Sequence, residues 1–339
     1  MWTNCFDDFI TFCRSDNTVN TSSTVNLFFC ILGWRYATDG DKAQEFSTSF
    51  RALGIVICLK NFDKGFVEFS NADKRSRELV ETISFFLQKS SMNIGEAQRL
   101  RGRMQFADSQ VFGRLGRLCL KAVTTHAYSG LGPKLKPECI SALRRFSQFL
   151  LRSEPRRIQG CSSRPWFIFT DACFDVSNSG WPCGLGGVVV DPHGNPFQFF
   201  STSLSASQMS VLGVEKKVTI IFEAELLAVV IAVSLWSSMF YCSPIVIFVD
   251  NNTARDVNIS GSARSRTAEA LLECLLSAES KSMCFPWYSR VPSPSNPSDA
   301  PSRGNVEPLK KARVQQVAVN DWVENILAKV VAANSANGG

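Results

Sequence analysis

Histidine is nearly absent from this chain: there are two in 339 residues, His126 and His193. Two isolated imidazoles exclude a His-rich metal centre, so metal chemistry here must rest on carboxylates. Cysteine is plentiful at 12, but no C-x-x-C pair occurs. A zinc site or a disulfide framework needs tight, repeated spacing, so reduced and mostly buried thiols are expected. No long apolar run is free of charge either. The longest, 218–236, is interrupted by Glu223 and Glu225, which makes it a poor membrane span. Asp7 and Asp8 stand where a secretory leader would need apolar residues. The expectation is a soluble intracellular protein, cytoplasmic and/or nuclear, with no membrane partner.

What is present can build a core. Hydrophobic residues make up 45% of the chain, and its length allows two or three domains. The net charge of +6 is uneven. Residues 1–160 hold 23 Lys/Arg against 15 Asp/Glu, a balance of +8, while residues 161–339 hold 13 against 15, a balance of −2. Such asymmetry suits a polyanion gripped by one part and acted on by the other.

Periodicity divides the chain. Up to about residue 72 it reads as short strands and turns, with CFDDFITF, NLFFCILGW, FRALGIVICL and GFVEFSN as apolar or alternating runs. From 73 to 152 the spacing turns helical over 74–88, 94–107, 111–123 and 137–151, with Asn71 or Asp73 and Asn93 as candidate caps. Arg99, Arg101, Arg103, Arg114, Arg117 and Lys121 gather on the middle helices. They read either as a solvated face or as a groove that tracks a nucleic-acid backbone. The polar stretch 153–164 reads as a linker. Beyond it, strands over 165–170, 184–190 and 197–202 precede a helix over 223–236. A strand over 244–249, a helix over 268–280 and a strand over 283–289 follow, and the tail from 305 offers further helix.

Four acids in this last region share a pattern. Asp171 (FTDACF) and Asp250 (VIFVDNNTA) end β-rich runs, Glu225 (FEAELLAV) lies in an apolar helix, and Asp299 (SNPSDAPSR) sits in a polar loop. Clustered carboxylates bind hard divalent cations. Singly, each aspartate is as well explained by a turn or a helix cap. Glu225 is harder to explain away, because a buried unpaired carboxylate is costly. Glu223 competes with it if the helix phase differs, and Asp175 competes with Asp171.

In this order and context the four acids resemble ribonuclease H over about 164–304: TDA ends the first strand, AELLAV resembles the helix signature, VDNNTA the fourth-strand end, and NPSDAPSRG the loop of retroelement versions. The resemblance implies an α/β domain at 165–304 with a five-stranded mixed sheet and flanking helices, followed by a helical tail at 305–339. It also implies two Mg²⁺ ions, with Mn²⁺ as the other candidate, about 3.5–4 Å apart. Asp171 would bridge them, Glu225 and Asp250 would complete one, and Asp299 the other. An RNA–DNA hybrid would be cut in its RNA strand, leaving 3′-hydroxyl and 5′-phosphate ends. The histidine many cellular members carry near the fourth acid is missing from 290–304.

A second resemblance lies upstream. CFDDFITF resembles the Y-x-D-D box of reverse transcriptases, with Cys5 in place of tyrosine and Asp7 and Asp8 as its aspartates. Lys42 and the Leu53–Gly54 pair resemble later palm motifs, and RLRGRMQFA and FGRLGRLCLKA resemble the thumb and connection of DIRS-like retroelements. This implies a partial palm at 1–72 and a helical thumb/connection at 73–152. The earlier palm aspartate and the fingers have no counterpart here, so polymerase activity is not expected unless a partner chain supplies them. Two other readings stand beside the nuclease: a degenerate remnant that binds nucleic acid without cutting, and an integrase-like strand transferase, against which the NPSDAPSR loop argues.

Overall fold

Short β-forming runs pair with near neighbours at the N-terminal end, while a long αβ-alternating stretch builds one broad sheet at the other. The computed structural model describes residues 2–5, 8–37, 43, 45–52, 54–108, 114–130, 132–152, 154–159, 164–213 and 219–336. They fall into two units, one of 1–77 with 154–160 and one of 78–153 with 161–339.

In the first unit, β1 (Trp2–Cys5) and β2 (Asp8–Thr11) form an antiparallel hairpin with Cys5 opposite Asp8. Asp7, Lys42 and Leu53 lie outside the described residues. The NLFFCILGW run, expected as a strand, belongs instead to helix α1 (Thr18–Ile31). Its β-branched and aromatic residues weigh little against an unbroken stretch without Gly or Pro. Gly33, at φ 66°, ends the helix. Its N–H reaches Cys30 O and the Trp34 N–H reaches Phe29 O, with the Phe29 and Trp34 rings stacked at 5.9 Å, a Schellman closure. Strands β3 (Ser49–Ala52), β4 (Ile55–Cys58) and β5 (Phe66–Asn71) form an antiparallel meander. The expected linker contains a fourth strand, β6 (Arg156–Gln159), on the β5 edge. Arg157 explains its capture, since the guanidinium pairs with Glu68 at 3.0 Å and lies over the Phe66 ring.

Helix α2 (Asp73–Lys89) carries the chain into the second unit. There it packs with α3 (Ile94–Ala107), α4 (Arg117–Tyr128) and α5 (Pro137–Arg152) around Leu79, Ile83, Leu100, Met104, Val123, Leu143 and Phe146. Asn93 caps α3 as its position suggests, in a reciprocal capping box with Glu96.

The α/β part follows as β7 (Trp166–Phe174), β8 (Cys183–Val190), β9 (Pro196–Ser203), α6 (Ala206–Leu212), α7 (Ile221–Leu235), β10 (Pro244–Val249), α8 (Asn252–Ser260), α9 (Arg266–Ser282) and β11 (Phe285–Arg290). Two short helices, α10 (Asp299–Ser302) and α11 (Glu307–Lys311), lead to β12 (Gln315–Gln316) and α12 (Asn320–Ala336). The sheet runs β11-β10-β7-β8-β9-β12, with β7, β8 and β9 antiparallel and β10 parallel to both β7 and β11.

One expectation needs correcting. The sheet has six strands rather than five, because β12 adds a parallel rung to β9. In the tail, Val319, Val323, Ile326, Leu327 and Val330 of its helical segment share the core of α7 and α9. The apolar spacing of 319–330 required such a partner. Among the described residues no helix is long and apolar enough to cross a membrane.

If α12 is part of this core, Leu327→Ala should cost roughly 2–5 kcal/mol in denaturant unfolding. A loss under about 0.5 kcal/mol, the surface value, would mean that the tail is not structurally part of the domain.

Candidate active site

Strand parity sorts the residues of β7. Ile168 and Ala172 face the α7 core, so Phe169 and Asp171 face the opposite, outer side of the sheet. On β10, Ile245, Ile247 and Val249 face the core. Phe248 stacks on Phe169 at 4.7 Å on the outer side, so Asp250, two residues on, follows Asp171 at the same end of adjacent parallel strands. From the other side α7 brings Glu225, whose Oε1 accepts the Ala172 N–H at 3.3 Å. Carboxylate oxygens of Asp171, Glu225 and Asp250 all lie within 4.8 Å of one another.

Asp171 and Glu225 are 3% and 2% exposed. Burial pushes the Asp171 carboxyl up to about 7, against the pull of a Ser302 hydrogen bond, and the nearby Asp250 and Asp299 charges add to the rise. Burial likewise raises Glu225 well above the carboxylate range, with Asp171 and Asp250 adding repulsion. Glu225 Oε2 is buried with no hydrogen-bond donor in reach among the described residues. A set of hard oxygen donors, one of them orphaned, fits a divalent cation.

Asp299 is not part of this tight trio. It opens α10, its Oδ1 accepts from Arg303 Nε at 3.0 Å, and its charge still raises Asp171. The two competitors are placed elsewhere. Asp175 shapes an exposed turn through Ser177, and Glu223 is approached by Ser265 Oγ at 3.5 Å.

The residues that hold the aspartates escape a search for acids. Ser302 Oγ donates to Asp171 Oδ2 at 2.5 Å, and Asn296 Nδ2 reaches Thr170 O at 3.0 Å and Asp171 Oδ1 at 3.5 Å. Ser293 Oγ donates to Asp250 Oδ2 at 2.8 Å. The 296–302 turn is itself pinned to the sheet by Ser298 Oγ on Phe169 O, Ser201 Oγ on Pro301 O and Trp181 Nε1 on Ser302 O. It rests on Gly184 and Gly186, where a Cβ would collide with the Ser302 and Ser298 backbone. The only signal for this in the sequence is the density of Ser and Asn in SPSNPSDAPS and the glycines of CGLGG.

The cations of the middle helices do not form one free basic face. Arg114 pairs with Glu279 at 3.3 Å and lies over the Tyr288 ring at 5.2 Å. Arg117 Nη1 donates to Ile259 O and Ser260 O at the end of α8, both at 3.0 Å. Lys121 reaches Glu269 and Ala263 O. Arg103 Nη1 donates to Thr82 Oγ1, Arg101 is half-buried and Arg99 is exposed. The acids that engage Arg114 and Lys121 come from α9, more than a hundred residues downstream.

No protein-family profile matches the sequence, and no curated protein does. Similar solved structures do exist. The N-terminal RNase H domain of a Mycobacterium tuberculosis protein, solved as a maltose-binding-protein fusion, shares 12% identity at TM-score 0.33. That match covers 45% of this chain and 100% of that one. RNase H1 from Halobacterium salinarum shares 14% identity at TM-score 0.31, covering 42% of this chain and 98% of that one. A foamy viral protease–reverse transcriptase in complex with an RNA/DNA hybrid shares 12% identity at TM-score 0.35. It covers 83% of this chain, which spans only 34% of its length. The chemistry of the site rests on the carboxylate geometry.

That geometry predicts a pH signature. Folded Asp171 holds its proton up to about pH 7, whereas an unfolded aspartate releases it near 3.8. The folded state therefore binds the extra proton in that window, and metal-free stability should fall as pH rises through it. Melting curves in EDTA should show this slope, flattened in Asp171→Asn, with Mg²⁺ restoring stability most above pH 7. A parent and variant with identical pH slopes would contradict the burial of Asp171.

Proposed function

We propose that the α/β part is a ribonuclease H, a divalent-metal-dependent endonuclease that cuts the RNA strand of an RNA–DNA hybrid. In this reading it belongs to a retroelement reverse transcriptase of the DIRS-like kind. The observation that carries the proposal is the convergence of Asp171, Glu225 and Asp250 oxygens within 4.8 Å at one end of a mixed sheet, with no donor to Glu225 Oε2 among the described residues. The motif resemblance supplies the substrate class.

Asp171, Glu225 and Asp250 would hold Mg²⁺ or Mn²⁺, and Asp299, whose charge reaches Asp171, would be the fourth ligand. Bound divalent cations supply Lewis acidity toward water and charge for the phosphodiester oxygens. The protein's own part is orientation. Ser302 and Asn296 fix the Asp171 carboxylate, and Ser293 fixes Asp250. The two hydroxyl contacts, at 2.5 Å from Ser302 and 2.8 Å from Ser293, hold the oxygens where repulsion would otherwise spread them, and Asn296 adds a longer contact. Arg303 restrains Asp299 from the solvent side.

In this reading the first unit and helices α2–α5 are a partial palm and a thumb/connection. A partner chain would supply the fingers and the earlier palm strand, and the protein would act in the cytoplasm and/or nucleus.

Incubating a labelled RNA–DNA hybrid with Mg²⁺ tests the proposal. The expected outcome is RNA cleavage to 3′-hydroxyl and 5′-phosphate ends, lost by at least a hundredfold in Asp250→Asn, with single-stranded RNA and duplex DNA untouched. Tight hybrid binding without cutting would make the protein a degenerate binding remnant. Cleavage that survives Asp250→Asn would place the chemistry elsewhere.

A further inference from the structure

With Arg114, Arg117 and Lys121 committed to the packing of α4 against α8 and α9, another basic surface on the second unit comes forward. The region 161–339 is slightly acidic overall, yet the stretch from 303 to 313 carries Arg303, Lys310, Lys311 and Arg313 against a single acid, Glu307. Lys310, Lys311 and Arg313 are exposed and have no ion-pair partner among the described residues.

This stretch is held in place beside the site. At its start, α10 begins with Asp299 and closes on Asp171 through Ser302. At its far end, β12 pairs with β9, Gln316 opposite Phe199. Between them Val306 and Leu309 pack on Val188, Phe199 and Val314, which turns the lysine-bearing side of α11 to solvent. Register relates the anchor of α11 to the row that holds Asp171. Val188 pairs with Phe169, and Gly186, two residues away on β8, pairs with Asp171. The anchor of α11 is therefore offset by about 7 Å along the strands from the row that holds Asp171.

We infer that Lys310, Lys311 and Arg313, on the segment that covers the outer face of β8 and β9, form a phosphate-backbone contact surface that seats a nucleic-acid duplex next to the carboxylates. The inference rests on the ribonuclease reading for its ligand. Three carboxylates in one place repel a polyanion, and cations carried on a neighbouring anchored segment offset that repulsion without entering the site. Mobile surface lysines would serve solubility equally well. Here the helix that carries the lysines is anchored through Val306 and Leu309, so their attachment points are set relative to the sheet, which serves registration of a bound backbone.

The test compares the parent with Lys310→Gln/Lys311→Gln/Arg313→Gln in the full chain. Anisotropy of a short fluorescein-labelled RNA–DNA hybrid is read in EDTA over roughly 50–200 mM salt. The variant should bind about tenfold more weakly at low salt. Its log–log salt slope should be shallower by about 1–3, since each duplex phosphate contact contributes about 0.9. In Mg²⁺ its KM should rise while kcat is kept. If the triple variant melts early, Lys311→Glu alone gives the same comparison. An unchanged slope and KM in a protein that still cuts would overturn the surface and leave the ribonuclease reading intact. A parent that never cuts, but whose salt slope the variant flattens, would support the surface and sink the ribonuclease reading.

Discussion

Three carboxylates forced into one partly desolvated space repel one another, and the α/β part is arranged around that constraint. Parallel pairing of β7 and β10 puts Asp171 and Asp250 side by side, and α7 closes the third side with Glu225. Like charges this close raise one another's pKa, and burial raises them further. Without a counter-charge such a cluster is a liability for folding. The surrounding donors reduce that liability: Ser302 and Asn296 on Asp171, Ser293 on Asp250, and the Ala172 amide on Glu225. Among the described residues Glu225 Oε2 is what they leave unsatisfied, and a divalent cation is the group whose chemistry would complete it.

The donors depend in turn on a turn that lies over the sheet. Residues 296–302 approach β8 so closely that Gly184 and Gly186 leave no room for side chains, and the turn is pinned by hydroxyls and the Trp181 indole. From there the chain continues through α11 to β12 and α12, which closes the core against α7 and α9. Site, basic segment and C-terminal helix are thus one continuous construction. On the far side of α9, Glu279 shares its oxygens between Tyr288 and Arg114, and Arg145 pairs with Glu273. The helical bundle is bound to the α/β part through charges that composition alone would assign to nucleic acid.

Much of this was legible in the sequence where local pattern decides structure. The alternation and runs of 165–290 fixed the order of strands and helices, and 244–249 matches β10 to the residue. The Asn93 cap was readable because a capping box is local. Two of the three acids were readable from local context, Asp250 just past the end of β10 and Glu225 in an apolar helix, whereas β7 runs on to Phe174 and holds Asp171 in its interior. What stayed hidden depends on partners far along the chain. The NLFFCILGW run has the composition of a strand and the structure of a helix. The 153–164 segment looks like a linker but contributes β6, because Glu68 and Phe66 wait for Arg157. Arg114 and Lys121 find acids on α9 that no window of sequence could pair with them.

The most direct measurement is a crystal structure of the full chain soaked with Mn²⁺ above pH 7, read by anomalous scattering. The account predicts a peak bound by Asp171, Glu225 and Asp250 together, with Ser302 still on Asp171, and loss of that peak in Glu225→Gln. A soaked crystal with no peak between these carboxylates, or a peak that persists unchanged in Glu225→Gln, would contradict it.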